Sequence, residues 1–473
     1  MGIKKLSENI YEVEKEEDMN VPGVIFASPL LIESIKNDGK TIEQVKNVAS
    51  LPGIVEKSIA MPDAHQGYGF SIGGVAAFDL DKGIISPGGI GYDIGCGVRV
   101  VQTDIKKEEF LEKRKEILNQ LFRDIPSGVG NTGELKLEDN DLDEVLISGA
   151  KWALNNNYAT QDDLDRTEDS GCLDGGDPKK ISQRAKARGR SQIGTLGSGN
   201  HFLEIQEVET IYDKKTAQLF GLHETGQIVV MIHTGSRGLG HQTASDYLQK
   251  MEKEYGFAHL PDRELACAPI KSVLGQDYFS AMKCAANFAF VNRQVIAHRV
   301  KKSFQKIFPK VKISQVYDVA HNIAKIETHI TKQGNCPLCV HRKGSTRSFG
   351  PGRKEIPECY RNVGQPVIIP GSMGSFSYIL VGTEKAEKLS WGSTAHGAGR
   401  VHSRSYALKN LKREDVEKEL AFNNVAIKAR SNRGLIEEAP EVYKDVNEVA
   451  KTSHELGIGN LVVRLKPLAV IKG

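Results

Sequence analysis

The chain has no run of 18 apolar residues, the length a helix needs to cross a bilayer, so nothing in it is expected to span a membrane. Its first residues, MGIKKLSENIYEVEKEE, lack the apolar core of a signal peptide, and Leu6 stands where N-myristoylation requires Ser or Thr. Seven cysteines, odd in number and scattered, do not make a disulfide framework; they point to a reducing compartment, with the cytoplasm as the expected location. Net charge is scarce too. Lys and Arg number 63 against 60 Asp and Glu, leaving +3, so a polyanion would have to be met by local basic patches. Two nucleotide-binding signatures are missing. G-x-x-x-x-G-K-[ST] fails because Ser34 stands where the first Gly belongs before Gly39-Lys-Thr41, and G-x-G-x-x-G does not occur. No repeat, low-complexity tract or Pro/Ser linker divides the 473 residues. That predicts one integrated α+β domain, residues 1–473, with central sheets and peripheral helices.

Apolar patterning predicts strands at Asn9–Val13, Gly73–Phe78, Val98–Val101, Ile193–Ile205, Ile228–His233, Val316–Ala320, Val367–Ile369, Phe376–Leu380 and Asn460–Ile471. Helical spacing marks Leu30–Ile35, Thr41–Ala49, 107–123, Leu142–Leu154 and, longest, Tyr278–Phe308, with Lys and Arg gathered near its end. The stretch from Asn156 to Gly189, Asp-rich and then Arg/Lys-rich, reads as exposed loop. Lys36-Asn-Asp-Gly39 matches the K-x-D-G of lysine-dependent nucleotidyltransferases, but Asp-Gly after a short helix reads as a solvated turn.

What the chain does have is glycine, and ten of its 47 fall between Gly67 and Gly97. Within Gly88–Val100 they surround Asp93 and Cys96, a setting in which backbone packs closely against something. Asp93 and Cys96 are either half of a metal site or a buried free thiol in a turn. Other sharply bounded segments repeat the pattern: Met61–Gly69 with Asp63 and His65, Gly197–Glu204 with Asn200, His201 and Glu204, and His233–His241 with His233 and Arg237. Asp318–Asn322 carries His321 and Asn322, and Trp391–Arg400 carries His396 and Arg400. Four of thirteen histidines (201, 233, 321, 396) thus lie beside small residues or at strand ends, while His65, His223 and His241 are ambiguous. One Asp, one Cys and three His suffice for one or two divalent cations, and ligand softness does not choose among zinc, manganese and iron. Pro370–Ser375 is a small-residue loop able to offer backbone N–H groups to phosphate. Val340–Arg347, Arg400–Arg404 and Arg184–Arg190 concentrate positive charge, as a polyanion site or as solvated loops. Cys336-Pro-Leu-Cys339, a single C-x-x-C, leaves a metal or redox role open.

In order along the chain, DIGCG, GSGNHFLE, HTGSRGLGHQ, DVAHN, VHRKGSTR, PGSMGS and HGAGR resemble the motifs of the RtcB family of RNA ligases, over about Met61 to Lys472. Cys336–Cys339 is not part of that pattern. The resemblance implies an enzyme that joins RNA ends bearing a 3′-phosphate or 2′,3′-cyclic phosphate to 5′-hydroxyl ends in tRNA splicing or RNA repair. It implies GTP and two Mn(II) ions. By motif, Asp93, Cys96 and His201 would hold one ion and Cys96, His233 and His321 the other, with His396 the guanylylated nucleophile and Asp63 a supporting acid. GTP would be held by Asn200, His201, Phe202, Leu203, Glu204, His321 and Asn322 together with Pro370, Gly371, Ser372, Met373 and Ser377. His396, Gly397, Ala398, Gly399 and Lys472 would complete that pocket. Arg237, Arg342, Lys343, Arg347, Arg400 and Arg404 are the candidates for RNA phosphates, since an Arg fork matches phosphate geometry. An archease-type activator and a monomeric state also follow from the resemblance. The residues by themselves also fit a two-metal RNA phosphodiesterase, or a metal-stabilised RNA-binding protein without catalysis.

Overall fold

Ile228-Val-Val-Met-Ile-His233 is apolar on both faces until its last residue, and it forms the centre of the strand Gln227–Thr234, buried throughout. The computed structural model, which describes residues 2–128, 130–133 and 135–473, places this strand in an eight-stranded sheet. The order is Ile313–Ala320, Gly97–Lys106, Gln227–Thr234, Phe202–Ile211, Asn460–Lys472, Ser377–Val381 and Pro366–Ile369, each antiparallel to the next. Ala426–Ala429 adds in parallel alongside Asn460–Lys472. Alternation along the strands loads both faces. Val101, Ile205, Val230 and Ile232 pack with Phe110 and Ile117 of the helix Lys107–Asp124 and with Ile296 and Phe304 of the helix Val273–Ile307. Val98, Val100, Val229 and Met231 point the other way, toward Phe349 and Tyr360.

A second sheet of seven strands runs Ile3–Ser7, Ile10–Val13, Gly23–Phe26, Ile54–His65, Ile72–Asp79, Gly334–Lys343 and Asn322–Thr331. Its Ile25, Ala60 and Ala64 share an apolar cluster with Val367, Ile369 and Leu380 of the first sheet. The two sheets are also joined through one residue: Ile313–Ala320 ends the first, Asn322–Thr331 begins the second, and His321 lies between. The architecture is mixed helix and sheet, as expected.

Two expectations give way. Phe202 opens a strand, but residues 193–201 form none, because the Gly194 and Thr195 N–H groups donate to Asn292 Oδ1 on the long helix (2.8 and 3.1 Å) and not to a neighbouring strand. The polar stretch 156–189 is not simply exposed loop. It carries the helices Gln161–Asp165, closed by a Thr160/Asp163 capping box, and Gln183–Gly189, capped by Ser182. Its charges turn inward: Glu168 and Asp169 meet Lys325 and Arg347, and Lys186 reaches Asp143 at 2.6 Å.

Two motifs lose their chemical reading. Cys336 and Cys339 lie three apart on the strand Gly334–Lys343 and therefore on opposite faces, Cys336 against the Val75–Ala77 cluster and Cys339 in the Phe78 cluster, so they do not converge on one ion. Lys36 is exposed and paired with Glu33 (2.8 Å), and Asp38 accepts from the Thr41 N–H (2.9 Å), a solvated turn as expected.

Asp318, fully buried, accepts from Arg99 Nε (2.7 Å) and Arg293 Nε (2.9 Å), both also fully buried. Asp318→Ala strands two buried guanidinium groups, and removing one partner from a buried pair costs about 3–5 kcal/mol. Its urea-unfolding midpoint should fall clearly below that of the wild type, while Lys271→Ala, at an exposed pair with Asp81, should leave the midpoint unmoved.

Candidate active site

In an antiparallel sheet a strand begins where its neighbour ends, and the register uses this to gather four residues. Gly97 pairs with both Thr234 and Ala320, and Phe202 pairs with His233. Cys96, His201, His233 and His321 therefore sit at one end of the buried sheet, and the His321 N–H donates to the Cys96 carbonyl (2.8 Å). The turn bearing Asp93 and Cys96 lies directly on the long helix. A Cβ at Gly95, whose φ is +71°, would come within 2.8 Å of Ala286 Cα. Gly235 serves the Asp93 carboxylate in the same way, since a Cβ there would stand 2.4 Å from Asp93 Oδ2. Gly95 and Gly235 thus allow close packing, while Gly88 and Gly91 of the same stretch line the cleft.

Cys96 Sγ lies 3.5 Å from His201 Nε2 and 3.4 Å from His233 Nε2. His233 Nε2 and His321 Nε2 are 3.3 Å apart, and His201 Nε2 is 2.8 Å from Asp93 Oδ2. Ligands bound about 2.0–2.3 Å from one ion at tetrahedral angles stand about 3.3–3.7 Å apart, so most of these spacings suit a shared cation. Two donor groups result, Asp93/Cys96/His201 and Cys96/His233/His321, with the thiol common to both. Burial, reinforced by neighbouring histidines, holds the His233 and His321 rings well below the ordinary value, in the neutral form that ligates. Burial and then the Asp93 charge push the Cys96 thiol well up, and a cation would reverse that. A carboxylate, a thiol and three imidazoles fit two divalent ions bridged by sulfur.

His396 arrives from a different direction, after the strand Ser393–Ala395 that pairs with Ser345–Arg347. Asp63, on the second sheet, has one carboxylate oxygen 2.7 Å from His396 Nδ1, and the same Oδ2 accepts from the backbone N–H groups of His396 (2.9 Å) and Gly397 (3.1 Å). Burial pushes Asp63 up, but the His396 ring and N–H hold it below the usual carboxylate range. An acceptor at Nδ1 assigns the proton to that nitrogen and leaves Nε2 with its lone pair. The His396 ring centroid is 4.7 Å from that of His321, which places the two chemistries side by side.

All five metal-capable residues and His396 line a single cleft of about 1020 Å³. Asn200, Asn322, Pro370, Gly371 and Gly397, Ala398 and Gly399 line it as well. Asn322 ties the site together, its Nδ2 donating to the Asp93 carbonyl (3.2 Å) and its Oδ1 accepting from the Gly344 N–H (2.8 Å). Phe202, Leu203, Glu204, Ser372, Met373, Ser377 and Lys472 are buried and do not line it. In the Pro370–Ser375 loop the expected free N–H groups are partly taken, Gly371 N–H by Ser377 Oγ (3.0 Å) and Ser372 N–H by Ser375 Oγ (2.7 Å). Burial lifts the Glu204 carboxyl to about 8 and lowers the Lys472 ammonium to about 8, and Glu204 Oε1 is buried with no hydrogen-bond partner.

The basic candidates separate into two sets. Arg237, Lys343, Arg400 and Arg404 line the cleft. Arg342 and Arg347 do not meet it: Arg342 is fully buried in a two-pronged pair with Glu327 (2.8 Å each), and Arg347 is held by Glu168 (3.2 Å) and Asp169 (3.3 Å). As anchors of the interior they are not available to RNA. Sequence reasoning missed Glu438, buried and paired with Arg400 (3.2 Å) and Arg404 (3.0 Å); no motif marks it. It also left His65 and His241 undecided and passed over Tyr68 and Tyr92, all of which line the cleft.

The shared thiol makes a specific expectation. Cys96→Ala should lose binding of both divalent ions, whereas His201→Ala and His321→Ala should each weaken mainly one. Metal analysis of the three purified variants reads this directly, and two ions retained without Cys96 would refute the bridge.

The family model described as tRNA-splicing ligase RtcB matches residues 44–473. Proteins named tRNA-splicing ligase RtcB from Thermococcus kodakarensis and Pyrobaculum aerophilum are each 50% identical, with 100% of this chain and 99% of the relative covered. One of the same name from Aeropyrum pernix is 51% identical over 96% of each chain. With the motifs converging on one cleft and identity sustained from end to end, the chain belongs to the RtcB family of tRNA-splicing ligases.

Proposed function

We propose that this protein joins RNA ends bearing a 3′-phosphate or 2′,3′-cyclic phosphate to 5′-hydroxyl ends, using GTP, with GMP carried on His396. The observation that carries the reading is the His396–Asp63 pair beside two three-donor groups in one cleft. A ring whose Nδ1–H is fixed on a buried carboxylate presents Nε2 as a nucleophile in one orientation. Two Mn(II) ions held by Asp93, Cys96 and His201 and by Cys96, His233 and His321 would supply neutralisation of phosphate charge.

In this reading His396 Nε2 forms a bond to the α-phosphorus of GTP and pyrophosphate leaves. An oxygen of the RNA 3′-phosphate then takes that phosphorus from Nε2, giving an RNA–(3′)pp(5′)–G end. The 5′-hydroxyl oxygen attacks the RNA phosphorus, GMP departs, the hydroxyl proton is lost, and the phosphodiester is made. A cyclic phosphate is first opened by water to the 3′-phosphate. Glu204 supports GTP over ATP: a buried carboxyl with one unpartnered oxygen offers an acceptor to the N–H edge of guanine. Asn200, Asn322, the Pro370–Met373 loop, Ser377, Gly397–Gly399 and Lys472 complete the nucleotide's surroundings, and Arg237, Lys343, Arg400 and Arg404 face the RNA. The whole chain, residues 1–473, acts as one domain and as a monomer in the cytoplasm, on tRNA halves or broken RNA, with an archease-type protein as activator.

Incubation with Mn(II) and α-labelled GTP should leave acid-labile, alkali-stable label on the wild type and none on His396→Ala. Asp63→Asn should slow labelling by up to about 10⁴-fold, the scale on which losing an orienting carboxylate weakens a histidine. RNA cleaved without label would favour a two-metal phosphodiesterase, and RNA retained without label or joined product would favour a binding protein.

A further inference from the structure

Three aromatic rings on the cleft wall take no part in the chemistry above. Tyr92 and His241 stack with centroids 5.0 Å apart and an interplanar angle of 24°, and Tyr68 meets Tyr92 edge-on at 6.3 Å and 80°. Each ring comes from a segment that also serves the site. Tyr92 precedes Asp93, Tyr68 follows the strand carrying Asp63, and His241 lies on the helix Arg237–Tyr255. Tyr68 is 62% exposed although it lines the cleft. Its backbone is anchored, because Lys343 Nζ donates to the Tyr68 carbonyl and to the Phe70 carbonyl (3.0 Å), and its ring edge meets Tyr92. Arg188 and Gln192 line the same cleft. Aromatic rings open to the cleft, beside the cationic Arg188 and Lys343, match the way single-stranded nucleic acid is gripped without regard to sequence.

We propose that Tyr68 and Tyr92, with His241 behind Tyr92, form a stacking platform for an unpaired nucleobase at the RNA end being joined. The proposal rests on the ligase reading for its substrate. It assigns the rings to RNA and not to the guanine of GTP, because the unpartnered acceptor suited to guanine, Glu204, is buried on the strand Phe202–Ile211 and does not line the cleft, whereas Tyr68, Tyr92 and His241 do. A stacking grip tolerates any base, as a ligase acting on broken ends requires. It also demands that the terminal base be free of its complement.

The test uses the full chain with His396→Ala, so that RNA binds without turnover, and single-stranded oligoribonucleotides carrying 2-aminopurine at the 3′-phosphate terminus or at the 5′-hydroxyl terminus. Fluorescence should be quenched on binding at one of the two positions, and Tyr68→Ala or Tyr92→Leu in that background should abolish the quenching. In the otherwise wild-type protein, Tyr68→Ala should raise KM for RNA about 10-fold with a smaller change in kcat, and Tyr92→Phe should behave as wild type where Tyr92→Leu does not. Quenching at neither position overturns the platform, as does quenching that survives both ring removals. A rise in KM for GTP equal to that for RNA overturns the assignment to RNA. Failure of the wild type to take up label from GTP or to join RNA counts against the ligase reading instead, and the quenching measurement is independent of it.

Discussion

Asp318 clamps two arginines in the dry interior, and the geometry of the cleft descends from that clamp. Arg99 belongs to the strand that follows Cys96, and Asp318 to the strand that precedes His321. Arg293, from the long helix, also donates to the carbonyls of Gly95 (2.8 Å) and Thr234 (3.0 Å), the residues beside Cys96 and His233. Its neighbour Asn292 binds the backbone of Gly194 and Thr195 on one side and the Gly235 carbonyl (3.0 Å) on the other. Two adjacent side chains on one helix therefore fix the approaches to most of the donor residues. Hydrophobic packing could bring the strands near one another, but it is non-directional; charge and hydrogen bonding set the spacing to a few tenths of an ångström.

The four histidines of the centre are held in two different ways. His396 is aimed by a hydrogen bond from Nδ1 to Asp63. His201, His233 and His321 have Nδ1 atoms buried with no protein partner, and their rings are oriented by edge-to-face contact with each other and by Phe202 against His233. His201 alone of these three also meets a carboxylate, Asp93 Oδ2 at 2.8 Å from Nε2, whereas His233 and His321 are set by ring packing.

Local pattern made much of this visible in the sequence. The buried run at Ile228 and the helical spacing after Tyr278 each appear where period and polarity place them. The donor residues could be picked out because they interrupt apolar strands at their ends, beside small residues. What was not legible depends on partners far away in the chain. Arg342 and Arg347 look like a solvated basic loop, yet their carboxylates come from Glu327 and from the segment around Glu168, which itself looked solvent-exposed. Glu438 neutralises Arg400 and Arg404 from outside any motif. Strand and helix periods are written in neighbouring residues, but a buried ion pair is written in two places at once, and neither half announces the other.

His321 is the whole connection between the last strand residue of one sheet, Ala320, and the first of the other, Asn322. Because side chains alternate along a strand, adding or deleting one residue here would exchange the inward and outward faces of everything downstream until the next turn. The nearby turn at Lys332–Gly334 is exposed and carries no such constraint. Residues 320–322 are therefore a fixed point in chain length: an insertion or deletion at this junction would misplace the faces of Asn322–Thr331, whereas an added residue in the exposed turn would not.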